Sequence, residues 1–265
     1  MSIEPPVSSA LPGSLTLKAT GYHPVPQMLP AQPNQSLIDG LTVLQALAVS
    51  TEPVGGRALA RQLGLEATRV NRLLKTLAYL GMARQTPNRK YLPGPAMHVL
   101  SAQSLFGSGL IRRALPVLEA LQETGKVVAL GVLWRDHVSY LYHWEPGVSA
   151  ASALGRMNLY PASQSSIGRM LLGWQEEEHV RALYADREIP LCPGGIEDLL
   201  KEVREARRQG YAYAVQNPQP LNSSLAVPVG SPPYAAIALG GAVYPEELDD
   251  TVVRLRKCAE LIAGE

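Results

Sequence analysis

The sequence predicts an α+β chain in two parts. A small N-terminal domain of three helices and a hairpin is joined by a helical linker to a larger domain with a mainly antiparallel sheet. Three observations predict this. Apolar residues recur every three or four positions through residues 36–81, which is the period of helices. From residue 127 the pattern changes to β-rich runs bounded by turn residues and interleaved with helical stretches. The charge is also partitioned: residues 36–95 hold eight Lys and Arg against three Asp and Glu, and residues 96–265 hold fifteen against nineteen. A formal net charge of +1 therefore hides a basic segment attached to an acidic remainder.

Residues 1–35 contain seven prolines, one lysine and one glutamate. Too little apolar surface is present to offset the entropy of ordering, so a disordered or partly ordered arm is expected. Ser36 is placed to cap a first helix through Leu37, Ile38, Leu41, Leu44, Leu47 and Ala48, which Thr51-Glu52-Pro53 ends. Residues 57–63 form a short amphipathic helix with Leu59, Ala60 and Leu63 on its packing side, and Gly64 turns the chain. A third helix begins near Glu66 and buries Val70, Leu73, Leu74, Leu77 and Leu80 before ending at Gly81. Opposite that stripe, at about 100° per residue, fall Thr68, Arg72, Lys75 and Tyr79, with Asn71 at the flank.

Two short extended runs follow, residues 82–85 and 90–92, joined by Thr86-Pro87-Asn88-Arg89. A helix-turn-helix followed at once by a basic hairpin is a winged helix. A solvated Arg/Lys face would produce the same helix pattern. The hairpin and the charge partition favour DNA, because the acidic remainder would repel phosphate. Thr68, Asn71 and Arg72 are the candidates for base edges, and Lys75, Arg84, Arg89 and Lys90 for phosphates. Arg69 completes the DNA-binding set.

Residues 96–124 read as two helices rather than one, interrupted by Gly107, Gly109 and Pro116. Strands are expected at 127–134 and 138–144, joined by a turn at 135–137, with a further short strand at 149–153. Helices follow at 164–174, 176–184 and 196–209, the last stopped by Gly210. Strands at 211–216, 223–229 and 235–243 precede a closing helix from Pro245. Within this part, Ser163, Ser165, Ser166 and Ile167 sit where a serine-rich turn opens a helix. Backbone N–H groups and hydroxyls gathered there favour a carboxylate or another anion.

Other classes are disfavoured. No apolar run reaches the roughly 18–20 residues that span a bilayer, and no basic segment followed by an apolar core marks a signal peptide. Cys192 and Cys258 lack disulfide or zinc spacing, which fits a reducing cytoplasm. The five histidines show no metal-ligand spacing, so neither metal nor cofactor is expected. A hydrolase using Ser163 or Ser166 is an alternative, but Arg169 stands where a serine–lysine arrangement needs a lysine able to lose its proton. No catalytic residue is assigned. A winged helix that binds protein instead of DNA is the other alternative, and the charge partition opposes it.

The stretch Thr68-Arg69-Val70-Asn71-Arg72-Leu73-Leu74, with Leu77, Gly81 and Tyr91-Leu92-Pro93-Gly94, resembles the DNA-binding domain of the IclR family of bacterial transcription regulators. The family's recognition helix carries a Ser/Thr-x-Val-x-Arg-Leu-Leu core, which Thr68, Val70, Arg72, Leu73 and Leu74 match. Gly55 departs from it where a Ser or Thr would cap the second helix, and Pro93-Gly94 replaces a Leu-Gly. Ala162, Ser163, Gly168 and Leu172 likewise resemble the family's segment bordering its effector pocket, with Arg169 for a lysine and Tyr160-Pro161 departing. The resemblance covers roughly residues 36–265. It implies an arm at 1–35, a winged helix-turn-helix domain at 36–95, a helical linker at 96–125 that helps form a dimer, and a GAF-like effector domain at 126–265.

By the same resemblance Ser149, Ser152, Gln216 and Ser223 line the pocket with the serines above. Relatives often carry acidic residues near 215–218. Gln216 and Asn217 are neutral here, so a different polar ligand is also consistent. The function implied is a cytoplasmic regulator of a catabolic operon. It would bind a pseudo-palindromic double-stranded operator as a homodimer or dimer of dimers, respond to a small metabolite, and have no membrane partner.

Overall fold

The structure, a computed structural model, describes residues 34–154, 159–219 and 221–264. The arm expected at 1–35 lies outside these except for Asn34 and Gln35, which open the first helix. Among the described residues, 34–97 and 98–264 form two compact units, divided between Met97 and His98.

In the first unit, helix α1 (Gln35–Ala48) is capped by Asn34, whose side chain accepts from the Leu37 N–H at 3.0 Å. The cap is thus two residues earlier than Ser36. The buried side of α1 is Asp39, Thr42, Val43, Ala46 and Leu47, whereas Leu37 and Leu41 are exposed. Period alone does not choose between two adjacent faces when polar groups are satisfied inside. Here Asp39 is paired with Arg69 at 2.5 Å and the Thr42 hydroxyl donates to the Ile38 carbonyl at 2.8 Å.

Helix α2 (Gly56–Leu63) starts at Gly55 without a side-chain cap and stops at Gly64, whose φ of 66° is the left-handed value that glycine adopts without strain. Helix α3 (Ala67–Tyr79) buries Val70 and Leu74. Leu73 and Leu77 are half-buried against the same core, and Leu80, past the helix end, is exposed. Strands β2 (Ala83–Gln85) and β3 (Lys90–Pro93) make the hairpin. A two-residue strand that sequence patterning missed, β1 (Val54–Gly55), pairs with the far side of β3. Gly94 is obligatory after the hairpin, since a Cβ there would lie 2.1 Å from the Gly81 carbonyl oxygen.

In the chain leading to the second unit, α4 (Ala96–Ser108) and α5 (Leu110–Leu121) are broken at Gly109, with φ 66°. Two helices were expected; the break is at Gly109, and Pro116 is carried inside α5. Leu110, Ala114, Leu118 and Leu121 of α5 are part of the second unit's core.

The second unit's sheet contains β4 (Val127–Trp134), β5 (His137–Trp144), β6 (Tyr160–Pro161), β7 (Ala212–Pro218), β8 (Leu221–Val229) and β9 (Ala235–Gly241). All neighbours are antiparallel, in the order β6-β5-β4-β9-β8-β7. Alternation along each strand builds two cores. Val128, Leu130, Leu225, Val227, Ile237 and Leu239 pack with α5 and α10 (Leu248–Ala263). Smaller residues on the other face (Ala129, Ala226, Ala236 and Ala238) pack with α7 (Ser166–Leu172), α8 (Glu177–Leu183) and α9 (Ile196–Gln209). The strand expected at 149–153 is instead a single helical turn, α6 (Ala150–Ala153), with Ser149 at its N-cap. Serine and alanine there serve a helix start better than a pleat.

Candidate nucleic-acid interface and effector site

Helix α3 presents Thr68, Arg72, Lys75 and Tyr79 on its exposed side. The spacing of four, three and four residues places them in one row. The Thr68 hydroxyl donates to the Glu66 carboxylate just before the helix, and the row is backed by buried Val70 and Leu74. Tyr79 is 90% exposed and continues the row, although charge-based reasoning passed over it.

Asn71 lies at the flank. Its Oδ1 rests where a Gly56 Cβ would stand, 2.2 Å away, so the absence of that Cβ lets Asn71 lean on the start of α2. Arg69 is placed differently. Its Nε is 2.5 Å from the Asp39 carboxylate, which is 3% exposed, so the guanidinium ties α3 to α1. Arg84, Arg89 and Lys90 are exposed on the hairpin. Arg89 holds φ 58° in a turn closed by the Thr86 N–H donating to the Lys90 carbonyl at 2.8 Å. Arg57 and Arg61 on α2 add exposed positive charge to the same unit.

A second constellation forms on the α7 side of the six-stranded sheet. Directly paired residues of antiparallel strands share a face. The pairs Ala129–His143, Gly131–Tyr140, Ala129–Ala238 and Ser224–Gly240 therefore set out a floor of small residues with aromatic side chains at its β5 edge. Tyr140 meets His143 edge-on, with ring centroids 5.0 Å apart, and lies 6.3 Å from Tyr160. Burial raises the Tyr160 phenol above its ordinary pKa, so it stays protonated.

The turn before α7 closes the arrangement. The Ser165 and Tyr140 hydroxyls are 3.2 Å apart, while Gln216 Nε2 donates to the Gln164 carbonyl at 3.1 Å. Strands β5 and β7 are four steps apart, about 19 Å in a flat sheet. Side chains from both reach adjacent residues of one turn, so the sheet is curled into a cup.

The turn itself is held rigidly. Arg169, 6% exposed, donates from Nε to the Ser163 carbonyl at 2.7 Å and pairs with Glu202 of α9 at 2.8 Å. The Asp136 carbonyl accepts from the Ala162 N–H at 2.8 Å, and Arg187 holds the Asp136 carboxylate at 2.7 Å. Burial raises the Asp136 carboxyl, but the hydrogen bond and charge of His137, with the Arg187 guanidinium, bring it below its ordinary pKa. Gly168 is in backbone contact with the turn: a Cβ there would lie 2.3 Å from the Ala162 carbonyl oxygen. Gly168→Ala is therefore expected to lower stability by about 3 kcal/mol, roughly 6–12 °C in Tm. Thermal unfolding checks this, and an unchanged Tm would show that the turn tolerates the shift.

Of the serine set, the structure brings together Ser165 and Gln216, with Ser224 as an added member. Ser163, Ser166 and Ile167 are buried at 1%, 2% and 1% exposure, as Ser165 is at 3%, but among these only Ser165 is bonded to a side chain of the sheet, Tyr140. Ser149 and Ser152 are exposed and bonded to each other at 2.9 Å, at the start of α6. Ser223 is on the opposite face. Its hydroxyl donates to the Val243 carbonyl at 2.8 Å and accepts from the Val243 N–H at 3.0 Å, joining β8 to the segment after β9. Strand alternation gives the cup the next side chain, Ser224. Among the described residues no cluster of three His, Cys, Asp or Glu side chains could hold a metal, and no helix is long and apolar enough to cross a membrane.

A winged helix-turn-helix with a cationic recognition face, carried on the same chain as a curled α+β domain with a polar cup, defines a DNA-binding regulator of the ligand-sensing class. The comparisons agree. The model described as "IclR helix-turn-helix domain" matches residues 36–87, and "Bacterial transcriptional regulator IclR C-terminal" matches residues 102–263. The chain belongs to the IclR family of bacterial transcriptional regulators. It is similar to the HTH-type transcriptional regulator KdgR of Dickeya chrysanthemi, 28% identical over 202 residues, 73% of this chain and 65% of that protein. Two solved structures show the fold. A putative IclR regulator from Silicibacter sp. TM1040 has a TM-score of 0.73 and 22% identity, covering 86% of this chain and 95% of the other. An IclR homologue from Microbacterium hydrocarbonoxydans, complexed with 4-hydroxybenzoate, has a TM-score of 0.61 and 22% identity, covering 86% and 98%.

Proposed function

We propose that this chain is a cytoplasmic, non-catalytic regulator that binds a pseudo-palindromic operator as a homodimer or dimer of dimers and releases or engages it in response to a small metabolite of a catabolic pathway. The exposed row Thr68, Arg72, Lys75 and Tyr79 carries the reading, because it lies in the basic part of an otherwise acidic chain. Thr68, Asn71 and Arg72 contact base edges. Lys75 and the wing residues Arg84, Arg89 and Lys90 hold phosphates. Arg69 supports the helix from behind. Effector binding in the cup shifts the population of dimer geometries and so the spacing of the two recognition helices.

Catalysis has no support in the serines. Ser163 and Ser166 are buried, and a guanidinium held by Glu202 cannot serve as a base.

Footprinting of the intergenic DNA upstream of the protein's own gene tests the proposal. It should show one protected site with two similar half-sites about one helical turn apart. Protection without any sequence boundary would contradict it. In the same DNA, Lys90→Ala is expected to weaken specific and scrambled duplexes alike and to lower the salt slope by about one unit. A loss confined to the specific duplex would move Lys90 to the base-reading set.

A further inference from the structure

We infer that the cup takes an uncharged, hydroxyl-bearing small molecule and not a carboxylate or phosphate. The inference rests on reading the cup as the effector site, and it departs from the anion that the serine-rich turn suggested.

The Gln216 amide carries the argument. Its Nε2 donates to the Gln164 carbonyl, which can only accept, so the orientation of the amide is set. Its Oε1 therefore faces away from that carbonyl, buried and without a hydrogen-bond partner among the described residues. A buried acceptor left unmatched is costly, and a ligand relieves that cost only by supplying a donor. A hydroxyl has one and an ionised carboxylate group has none, so the ligand meets Oε1 through a hydroxyl, and the cations nearby decide whether it also carries a negative charge.

The side chains near the cup that can carry positive charge argue against an acid. Arg169 is committed to the Ser163 carbonyl and to Glu202. His143 has the Glu145 carboxylate 3.6 Å from its Nδ1. Neither Lys nor Arg is among the floor and wall residues described above. One donor at the start of α7 is already taken, since the Ser165 hydroxyl accepts from the Gly168 N–H at 3.3 Å. What the cup does offer suits a neutral ring or polyol. Near Gln216 stand the hydroxyls of Ser224, Ser165 and Tyr140, with the Tyr160 ring beside Tyr140, whereas Ala129 and Ala238 of the floor are packed beneath α7.

The test uses the full chain and matched pairs that differ only in charge at one carbon: D-galactose with D-galacturonate, glycerol with glycerate, and 4-hydroxybenzyl alcohol with 4-hydroxybenzoate. Thermal unfolding is followed with each at increasing concentration. At least one neutral member is expected to raise Tm, by roughly 5–10 °C at a hundredfold excess over Kd, while its acid leaves Tm in place. Gln216→Leu should abolish that shift without lowering Tm of the ligand-free protein by more than about 2 °C. Shifts produced by acids alone, or by no member of any pair, overturn the inference. A shift that survives Gln216→Leu undiminished puts the ligand elsewhere and overturns the effector reading of the cup itself.

Discussion

Arg69→Ala is expected to destabilise the N-terminal unit by about 3 kcal/mol, although Arg69 belongs to a basic helix of a DNA-binding domain. The reason is the burial of its partner. Asp39 is 2% exposed on α1, with the Gln35 amide donating to one oxygen at 2.8 Å and Arg69 Nε 2.5 Å from the other. Removing the guanidinium leaves a buried carboxylate uncompensated, which is worse than removing both charges. The double replacement Asp39→Leu with Arg69→Met should recover most of the loss. Hydrogen exchange of the α1 and α3 amides in the full chain reads the effect directly. Unchanged protection in Arg69→Ala would mean that the pair contributes nothing and would return Arg69 to the DNA-contacting set.

Arg72→Ala, three residues further along the same helix, is expected to behave in the opposite way. Exchange protection should be unaffected, because the side chain is exposed. Affinity for the specific site should fall by about 1–3 kcal/mol, roughly 5- to 150-fold, with a much smaller change on scrambled DNA. Equal losses on both duplexes would make Arg72 a phosphate contact. Together the two variants separate what α3 does for the fold from what it does for the DNA.

That separation marks where the sequence was legible and where it was not. The exposed row on α3 follows from helical period, since Thr68, Arg72, Lys75 and Tyr79 fall on one side whatever the neighbours are. The hairpin followed from its turn residues. The role of Arg69 did not, because it depends on a carboxylate thirty positions away that hydropathy places in solvent. For the same reason the apolar residues through which α1 was read, Leu37 and Leu41 among them, do not mark its buried side, which includes Asp39 and Thr42.

The second unit shows a similar limit. Its strands expected at 127–134 and 235–243 were readable as β-rich runs, the second ending at Gly241 in the structure. The short β6 and β1 were not, since two residues carry no periodicity. Ser223 and Ser224 are equivalent by composition, and only the strand register puts one in the cup and the other against Val243. Ser149 and Ser152 matched a family position, yet they are paired with each other at the surface. The curl that brings Gln216 and Tyr140 to adjacent residues of one turn is a property of six strands together, and no local pattern encodes it.

The central claim, specific and effector-linked DNA binding, is tested most directly by fluorescence anisotropy. The full chain would be titrated into its own upstream intergenic duplex and into a scrambled duplex of the same length, at several salt concentrations. The account predicts preferential binding of the upstream duplex by about a thousandfold or more, with a steep negative salt slope on both. Equal, weak binding of the two duplexes, unchanged by every compound that raises the protein's Tm, would contradict it.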